Sequence, residues 1–224
     1  MFINEIFGPT IQGEGKSIGK EVLFVRLAFC NLKCGYCDTP YTWKNTKGEI
    51  HKMSIQEVFE NLLNKSRKTK TVVISGGEPL LQQKELIDLL KLLKQHNYWI
   101  EIETNGTIEP TDEFLSLVDQ VNCSPKTSCS GNNYQKREIP KVLKKLSQSL
   151  KTNFKFVISD IMDMTEILDL VDRYDMKEVY LMPEGRTKEE IEKRSNVVRE
   201  LCSIHNFHFT TRLHILKYGS KRGV

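Results

Sequence analysis

"TVVISGGEPLLQQKELIDLLKLLKQHNYWIEIETNG", residues 71–106, reads as a strand, a helix and a second strand. Residues 71–75, "TVVIS", are mostly β-branched and stop at a pair of glycines, as a short buried strand does. In "QQKELIDLLKLLKQH" (82–96), Leu86, Leu89, Leu90 and Leu93 fall on one stripe, the mark of a helix with a single buried face. "YWIEIET" (98–104) returns as a strand. A helix that must bury one face between two strands makes a parallel β-α-β unit.

The alternation extends both ways. Upstream, "VLFVRLA" (22–28) is a strand and "SIQEVFENLLNKS" (54–66) an amphipathic helix, with Ser54 and Glu57 at capping-box spacing. Downstream, "TDEFLSLV" (111–118) is a helix, "QVNCS" (120–124) a strand, "KVLKKLSQSL" (141–150) a helix and "FKFVIS" (154–159) a strand. "MTEILDLVDRY" (164–174) is a helix, "EVYLM" (178–182) a strand and "KEEIEKRSNVVRELCSIH" (188–205) a helix, and "FHFTTRLHIL" (207–216) closes as a strand. This count is too small for an eight-stranded barrel. The expected fold is α/β, a partial, open (β/α)6-type barrel, with a doubly wound sheet as its competitor. With no internal repeat or low-complexity linker, residues 1–224 read as one domain, with an N-terminal segment at 1–21 and a loop at 28–53.

Composition narrows the class. The 224 residues are 39% hydrophobic with a formal charge of +4, too mild for a nucleic-acid-binding face. The densest basic stretch, "NKSRKTK" (64–70), reads as a helix end and loop. No apolar run approaches the roughly 20 residues of a membrane helix. "MFINEIFGPT" has no basic-then-apolar signal, so a cytoplasmic location is expected. Six cysteines are too sparse for a secreted disulfide scaffold and fit a metal or redox centre in a reducing compartment.

Three of those cysteines lie together in "CNLKCGYCDT" (30–39), where Cys30, Cys34 and Cys37 are spaced C-x3-C-x2-C. A structural zinc would need a fourth ligand, for which His51 or Cys129 would have to serve. A [4Fe–4S] cluster on three thiolates instead leaves one iron open to a small molecule. S-adenosylmethionine can chelate that iron through its amino and carboxylate groups, and one electron then cleaves its sulfonium to methionine and a 5′-deoxyadenosyl radical. Cys123 and Cys202 read as buried small hydrophobes, and Cys129 as an isolated auxiliary candidate. The strand ends collect polar groups on the same rim as the cysteine loop, where parallel α/β folds bind ligands.

The cysteine spacing with Tyr36 before the last cysteine, together with "SGGEP" (75–79), resembles the radical SAM superfamily. "EIFGPTIQGEGKSIGKEVLFVRLAFCNLKCGYCDT", "ETNG", "SPK" and the closing "KRGV" resemble the 7-carboxy-7-deazaguanine synthase family, over nearly the whole chain. The resemblance implies a lyase-type radical reaction that converts 6-carboxy-5,6,7,8-tetrahydropterin to 7-carboxy-7-deazaguanine with loss of ammonia, in deazapurine and queuosine biosynthesis. It implies substrate contacts from Ile11, Gln12, Gly13, Glu14, Arg26 and Ser75, with the carboxylate on Arg26. It assigns S-adenosylmethionine to Tyr36, Cys37, Asp38, Gly77, Glu78, Ser124, Pro125, Lys126, Met182 and Pro183; Met182 replaces a glutamine frequent in the family. Glu103 and Asn105 read either as ribose contacts or as an ordinary turn. Thr39 is a Mg²⁺ ligand in the family's pattern and a cap or turn residue otherwise. His205, His208 and His214 receive no catalytic role. A low-potential donor such as flavodoxin and a homodimer are the family's expectation. The competing readings are a radical SAM activating enzyme acting on a protein glycyl site, and a zinc-stabilised nucleic-acid-binding module.

Overall fold

The computed structural model describes residues 1–44, 49–66, 68–219 and 221–223. Residues 45–48 of the 28–53 loop, Arg67 of the basic stretch and Val224 of "KRGV" lie outside the described residues. The strands are β1 (Phe2–Ile11), β2 (Glu21–Leu27), β3 (His51–Lys52), β4 (Thr71–Gly76), β5 (Trp99–Thr104), β6 (Gln120–Cys123), β7 (Thr152–Ile158), β8 (Val179–Pro183) and β9 (His208–Phe209). The helices are α1 (Ile55–Lys65), α2 (Gln83–Gln95), α3 (Asp112–Leu117), α4 (Tyr134–Arg137), α5 (Pro140–Ser147), α6 (Asp163–Tyr174), α7 (Lys188–His205) and α8 (Leu213–Tyr218).

All described strands join one sheet in the order β3-β1-β2-β4-β5-β6-β7-β8-β9, and β3 and β9 are its edges. β2 and β4 through β9 are parallel, whereas β1 runs antiparallel to β2 and to β3. Six parallel strands, β2, β4, β5, β6, β7 and β8, are each followed by a helix, which is the open (β/α)6 arrangement. A doubly wound sheet would place helices on both faces. Here the apolar stripes of α1, α2, α5, α6 and α7 share a single core with one face of the strands.

The alternation along each strand explains the layering. Leu23, Val25 and Leu27, Val72 and Ile74, Ile100 and Ile102, Phe154 and Phe156, and Val179 and Leu181 enter that helix-covered core. The intervening residues face the other way and are largely polar: Glu101, Gln120, Asn122, Asn153 and Lys155 are all buried. Local signals behave as read. Ser54 and Glu57 form the reciprocal capping box of α1, and the Leu86, Leu89, Leu90 and Leu93 stripe of α2 is fully buried. Cys123 and Cys202 are buried.

Two elements differ from expectation. β1 is a long strand within the segment at 1–21, and its register shifts between Phe7 and Thr10, where Pro9 has no N–H to pair. The expected strand at 207–216 is only His208–Phe209, and residues 213–218 are helical. The chain leaves the sheet there because the N-terminal loop captures it. The Gly15 N–H donates to Thr210 Oγ1 at 2.7 Å, and the Leu213 N–H to the Gly13 carbonyl at 2.9 Å.

The glycine pair ending β4 has a packing role. Gly76 has φ +138°, and a Cβ there would lie 2.2 Å from the Leu27 oxygen. A Cβ on Gly77 would lie 1.9 Å from the Phe29 oxygen. Both close approaches seat the cysteine loop on β4, where the Glu78 N–H donates to the Phe29 carbonyl at 2.8 Å. Gly77→Ala is expected to lower stability by about 1–3 kcal/mol through overpacking and to reduce iron retention after anaerobic reconstitution. Thermal melting beside iron analysis checks both, and wild-type values in each would show that the loop can yield.

Candidate active site

The cysteine loop is tied down from several strand ends. The Phe29 N–H donates to the Thr42 carbonyl at 2.7 Å, with Phe29 itself at φ +74°. Asn31 Nδ2 donates to Thr107 Oγ1 at 2.7 Å, the Gly35 N–H to the Ser130 carbonyl at 3.0 Å, and Arg186 to the Gly35 carbonyl at 2.6 Å. These bonds hold Cys30, Cys34 and Cys37 on the wall of a cavity of about 510 Å³, a size suited to small molecules. Burial pushes the Cys30 thiol up to about 11 and also raises that of Cys34, so binding a cationic centre there would release protons.

The opposite wall is the polar face of the sheet and the loop after β1. Register pairs Arg26 on β2 with Ser75 on β4, which puts both side chains on that face. Arg26 Nε donates to Glu5 Oε1 at 2.6 Å, Tyr41 Oη donates to the same oxygen at 3.1 Å, and the guanidinium lies 5.5 Å from the Phe7 ring centre. Among the described residues, neither terminal nitrogen of Arg26 has a hydrogen-bond partner.

Deeper in the cavity sits a charge cluster. Lys155 Nζ, buried on β7, donates to Glu14 Oε2 at 2.6 Å and to Glu103 Oε2 at 3.0 Å. Gln12 Nε2 reaches Glu103 Oε1 at 3.3 Å, and Asn122 Nδ2 donates to that oxygen at 3.0 Å. Arg212, also buried, lies 3.6 Å from Glu14 and 3.9 Å from Asp38, and its Nε has no hydrogen-bond partner. Burial alone would raise the Glu14 carboxyl, but Lys155, Arg212 and His214 outweigh it and hold it at about 2. Burial pulls the His214 imidazole below its ordinary value. Glu14, Asp38 and His214 bring their ligand atoms within 4.8 Å of one another. Lys155 and Arg212 already supply positive charge to that trio, which disfavours a further cation. The three thiols do not all meet within that distance.

Most expected site residues meet in this cavity. Ile11, Gln12, Gly13, Glu14, Arg26, Ser75, Tyr36, Cys37, Asp38, Thr39, Gly77, Glu103, Asn105, Ser124, Lys126 and Met182 line it. Glu78, Pro125 and Pro183 do not. The Glu78 carboxylate is fully buried and accepts from Leu80 N, Thr104 Oγ1 and Asn105 N, which binds the end of β4 to the end of β5. Thr39 begins a turn, but its hydroxyl makes no capping hydrogen bond. Cys129 and His51 stay off the lining.

Gly13, on the cavity lining as expected, also has a packing role. A Cβ on it would lie 2.1 Å from His214 Nδ1, so its bare backbone makes room for the imidazole. His214 thus belongs to the site, although sequence reasoning gave it no role. Lys155 lies in the middle of β7 rather than at a strand end, so its position does not mark it as a site residue. Its signal is the alternation of polar residues at Glu101 and Glu103, Gln120 and Asn122, and Asn153 and Lys155.

Comparison with known proteins agrees with this geometry. The family model of the Radical SAM superfamily matches residues 25–130. A 7-carboxy-7-deazaguanine synthase of Pyrobaculum aerophilum is 34% identical over 98% of this chain and 95% of its own length. That of Bacillus subtilis is 32% identical over 98% and 97%. The crystal structure of QueE from Escherichia coli superposes with a TM-score of 0.74 over 95% of this chain and 94% of that one, at 22% identity.

The Lys155 cluster makes a prediction with a sign. A carboxyl held at about 2 releases its proton more readily in the folded chain than in the unfolded one. Its stabilisation is complete above the usual value of 4.5 and fades as the pH falls toward 2. Lys155→Met strands buried carboxylates and is expected to cost about 3–5 kcal/mol at pH 7. Burial then favours protonated Glu14, so the deficit should shrink as the pH falls from neutrality toward the carboxylate range. Urea unfolding across that range checks it, and a deficit independent of pH would reject the assignment.

Proposed function

The chain belongs to the 7-carboxy-7-deazaguanine synthase family and is a radical SAM enzyme; from that premise we propose how its cavity carries out the family's reaction on 6-carboxy-5,6,7,8-tetrahydropterin. The donor set suits a [4Fe–4S] cluster: Cys30, Cys34 and Cys37 share one loop, their sulfurs do not all meet within 4.8 Å, and no fourth cysteine lines the cavity among the described residues. When bound there, the cluster and S-adenosylmethionine supply one-electron chemistry that starts the reaction with a carbon radical.

The chain's own residues bind and orient. Gly77, Asn105, Ser124, Lys126 and Met182 lie on the rim beside the cysteines and would hold S-adenosylmethionine; Lys126 Nζ donates to Ser124 Oγ at 2.9 Å. On the opposite wall, Gln12, Glu14 and Glu103 offer donors and acceptors to a pterin edge, with Lys155 bridging the two carboxylates. His214 and Arg212 complete that wall. The observation that carries the reading is Arg26. Arg26 lines the same cavity as the three thiols, and its terminal nitrogens, unpartnered among the described residues, suit a carboxylate fork-to-fork. Thr39 would hold Mg²⁺, since it lines the cavity and its hydroxyl caps nothing. The segment at 1–21 serves as the substrate-binding part of a single domain.

No described helix is long and apolar enough to cross a membrane. A cytoplasmic location, a low-potential donor such as flavodoxin, and a homodimer complete the proposal. The kinship with 7-carboxy-7-deazaguanine synthases favours a small substrate over a protein glycyl site.

Anaerobically reconstituted protein, given the pterin, S-adenosylmethionine and a reductant, should release 7-carboxy-7-deazaguanine, detected by mass spectrometry. Arg26→Ala should weaken apparent substrate affinity about tenfold or more, as loss of a charge-assisted pair worth roughly 1.5–3 kcal/mol predicts. Its iron content and S-adenosylmethionine binding should not change; equal losses for both ligands would make Arg26 a fold residue.

Turnover should rise with added Mg²⁺. Thr39→Ala should blunt that rise without bleaching the cluster, and Thr39→Ser should retain much of it. An unaltered magnesium curve in Thr39→Ala would remove Thr39 as a ligand.

A further inference from the structure

Each thiol of the cysteine loop faces an N–H. The backbone N–H of Leu32 donates to Cys30 Sγ at 3.5 Å, Asn132 Nδ2 to Cys34 Sγ at 3.1 Å, and Trp43 Nε1 to Cys37 Sγ at 3.5 Å. The first comes with the loop's own path. The other two are side chains, one brought in from the segment after β6 and one closing the turn that follows Thr39.

Their orientation is settled by chemistry. The Lys33 N–H donates to Asn132 Oδ1 at 2.9 Å, and two donors cannot face each other, so the amide must turn its NH₂ to Cys34. Ser130 Oγ lies 3.2 Å from the same NH₂ and braces it. An indole N–H can only donate, so Cys37 sulfur must be its acceptor. Asn105 Nδ2 is 4.0 Å from Cys30 Sγ and is better placed on Asn31 Oδ1 at 3.0 Å.

Resting on the reading that these three cysteines hold the cluster, we propose that Asn132 and Trp43 raise its reduction potential. An added electron increases the negative charge on the ligating sulfurs. An N–H aimed at a half-buried sulfur stabilises the reduced state more than the oxidised one. Both residues act through the thiolates and are positioning residues. They ease the one-electron reduction on which the proposed reaction depends.

The test is a redox titration, followed by electron paramagnetic resonance, of anaerobically reconstituted wild type, Trp43→Phe, Asn132→Leu and the double variant. Trp43→Phe keeps an aromatic ring and removes the N–H; Asn132→Leu keeps the bulk. At the wild-type midpoint, each single variant with four irons should show its reduced-to-oxidised ratio lowered about threefold and the double variant about tenfold, a shift of 59 mV for a one-electron couple. A merely structural role predicts the opposite sign, because water entering a loosened loop stabilises the more negative, reduced cluster. Midpoints equal to or above wild type at full iron content would overturn the proposal. If Asn132→Leu fails to hold iron, the midpoint of Trp43→Phe alone decides. If wild type takes up no iron, the cysteine reading itself fails, and that is seen before any potential is measured.

Discussion

An ammonium group almost cut off from water cannot sit on the inner face of a sheet unless negative charge meets it there. Lys155 is such a group, and it reaches both Glu14 and Glu103. Glu103 lies on β5, two strands away, whereas Glu14 lies on the loop after β1, at the far end of the parallel array. Satisfying one lysine therefore folds the N-terminal loop into the concavity. The loop brings Gln12 against Glu103 and Ser17 against the buried Glu101, to which its hydroxyl donates at 2.6 Å. The open sheet thereby acquires a polar filling where a closed barrel would have packed side chains.

The second constraint is the approach of two backbones. Gly76 and Gly77 let the end of β4 touch the chain entering the cysteine loop, and bonds from Ser130, Asn132 and Arg186 fix its far side. The thiols are thus set by bonds from distant strand ends, while the polar filling sets the opposite wall. The cavity lies between these two braced surfaces, which meet where Arg212 approaches Asp38 at 3.9 Å and Tyr41 donates to Glu5 at 3.1 Å.

Much of this was legible in the chain itself. The apolar stripe of α2 and the capping box of α1 announce their helices, since burial and capping act over a few residues. The cysteine spacing and the glycine pair are local as well. What escaped reading depends on partners far away in sequence. The stretch 207–216 has strand-like residues, but the loop at Gly13 and Gly15 pulls it into a helix after two paired residues. Glu78 looks like a rim ligand by position, yet three N–H and O–H donors hold it inside the fold. Lys155 sits mid-strand, where only the parity of its neighbours reveals which face it takes. His214 has no sequence mark, because its site is defined by the missing side chain of Gly13.

That last fit joins residues about 200 positions apart. The imidazole of His214 occupies the space a Cβ on Gly13 would need, and Leu213 and Thr210 bond to the same loop. During synthesis at about 5–20 residues per second, the loop at 12–20 emerges about 10–40 s before the residues that complete it. Over that interval a nascent chain can build the helix-covered face of β2 to β7, whose contacts are nearer in sequence. The reaction chamber itself has to wait. A ribosome-tethered chain stopped short of residue 210 would carry the cysteine loop but lack Arg212 and His214, which complete the opposite wall of the chamber.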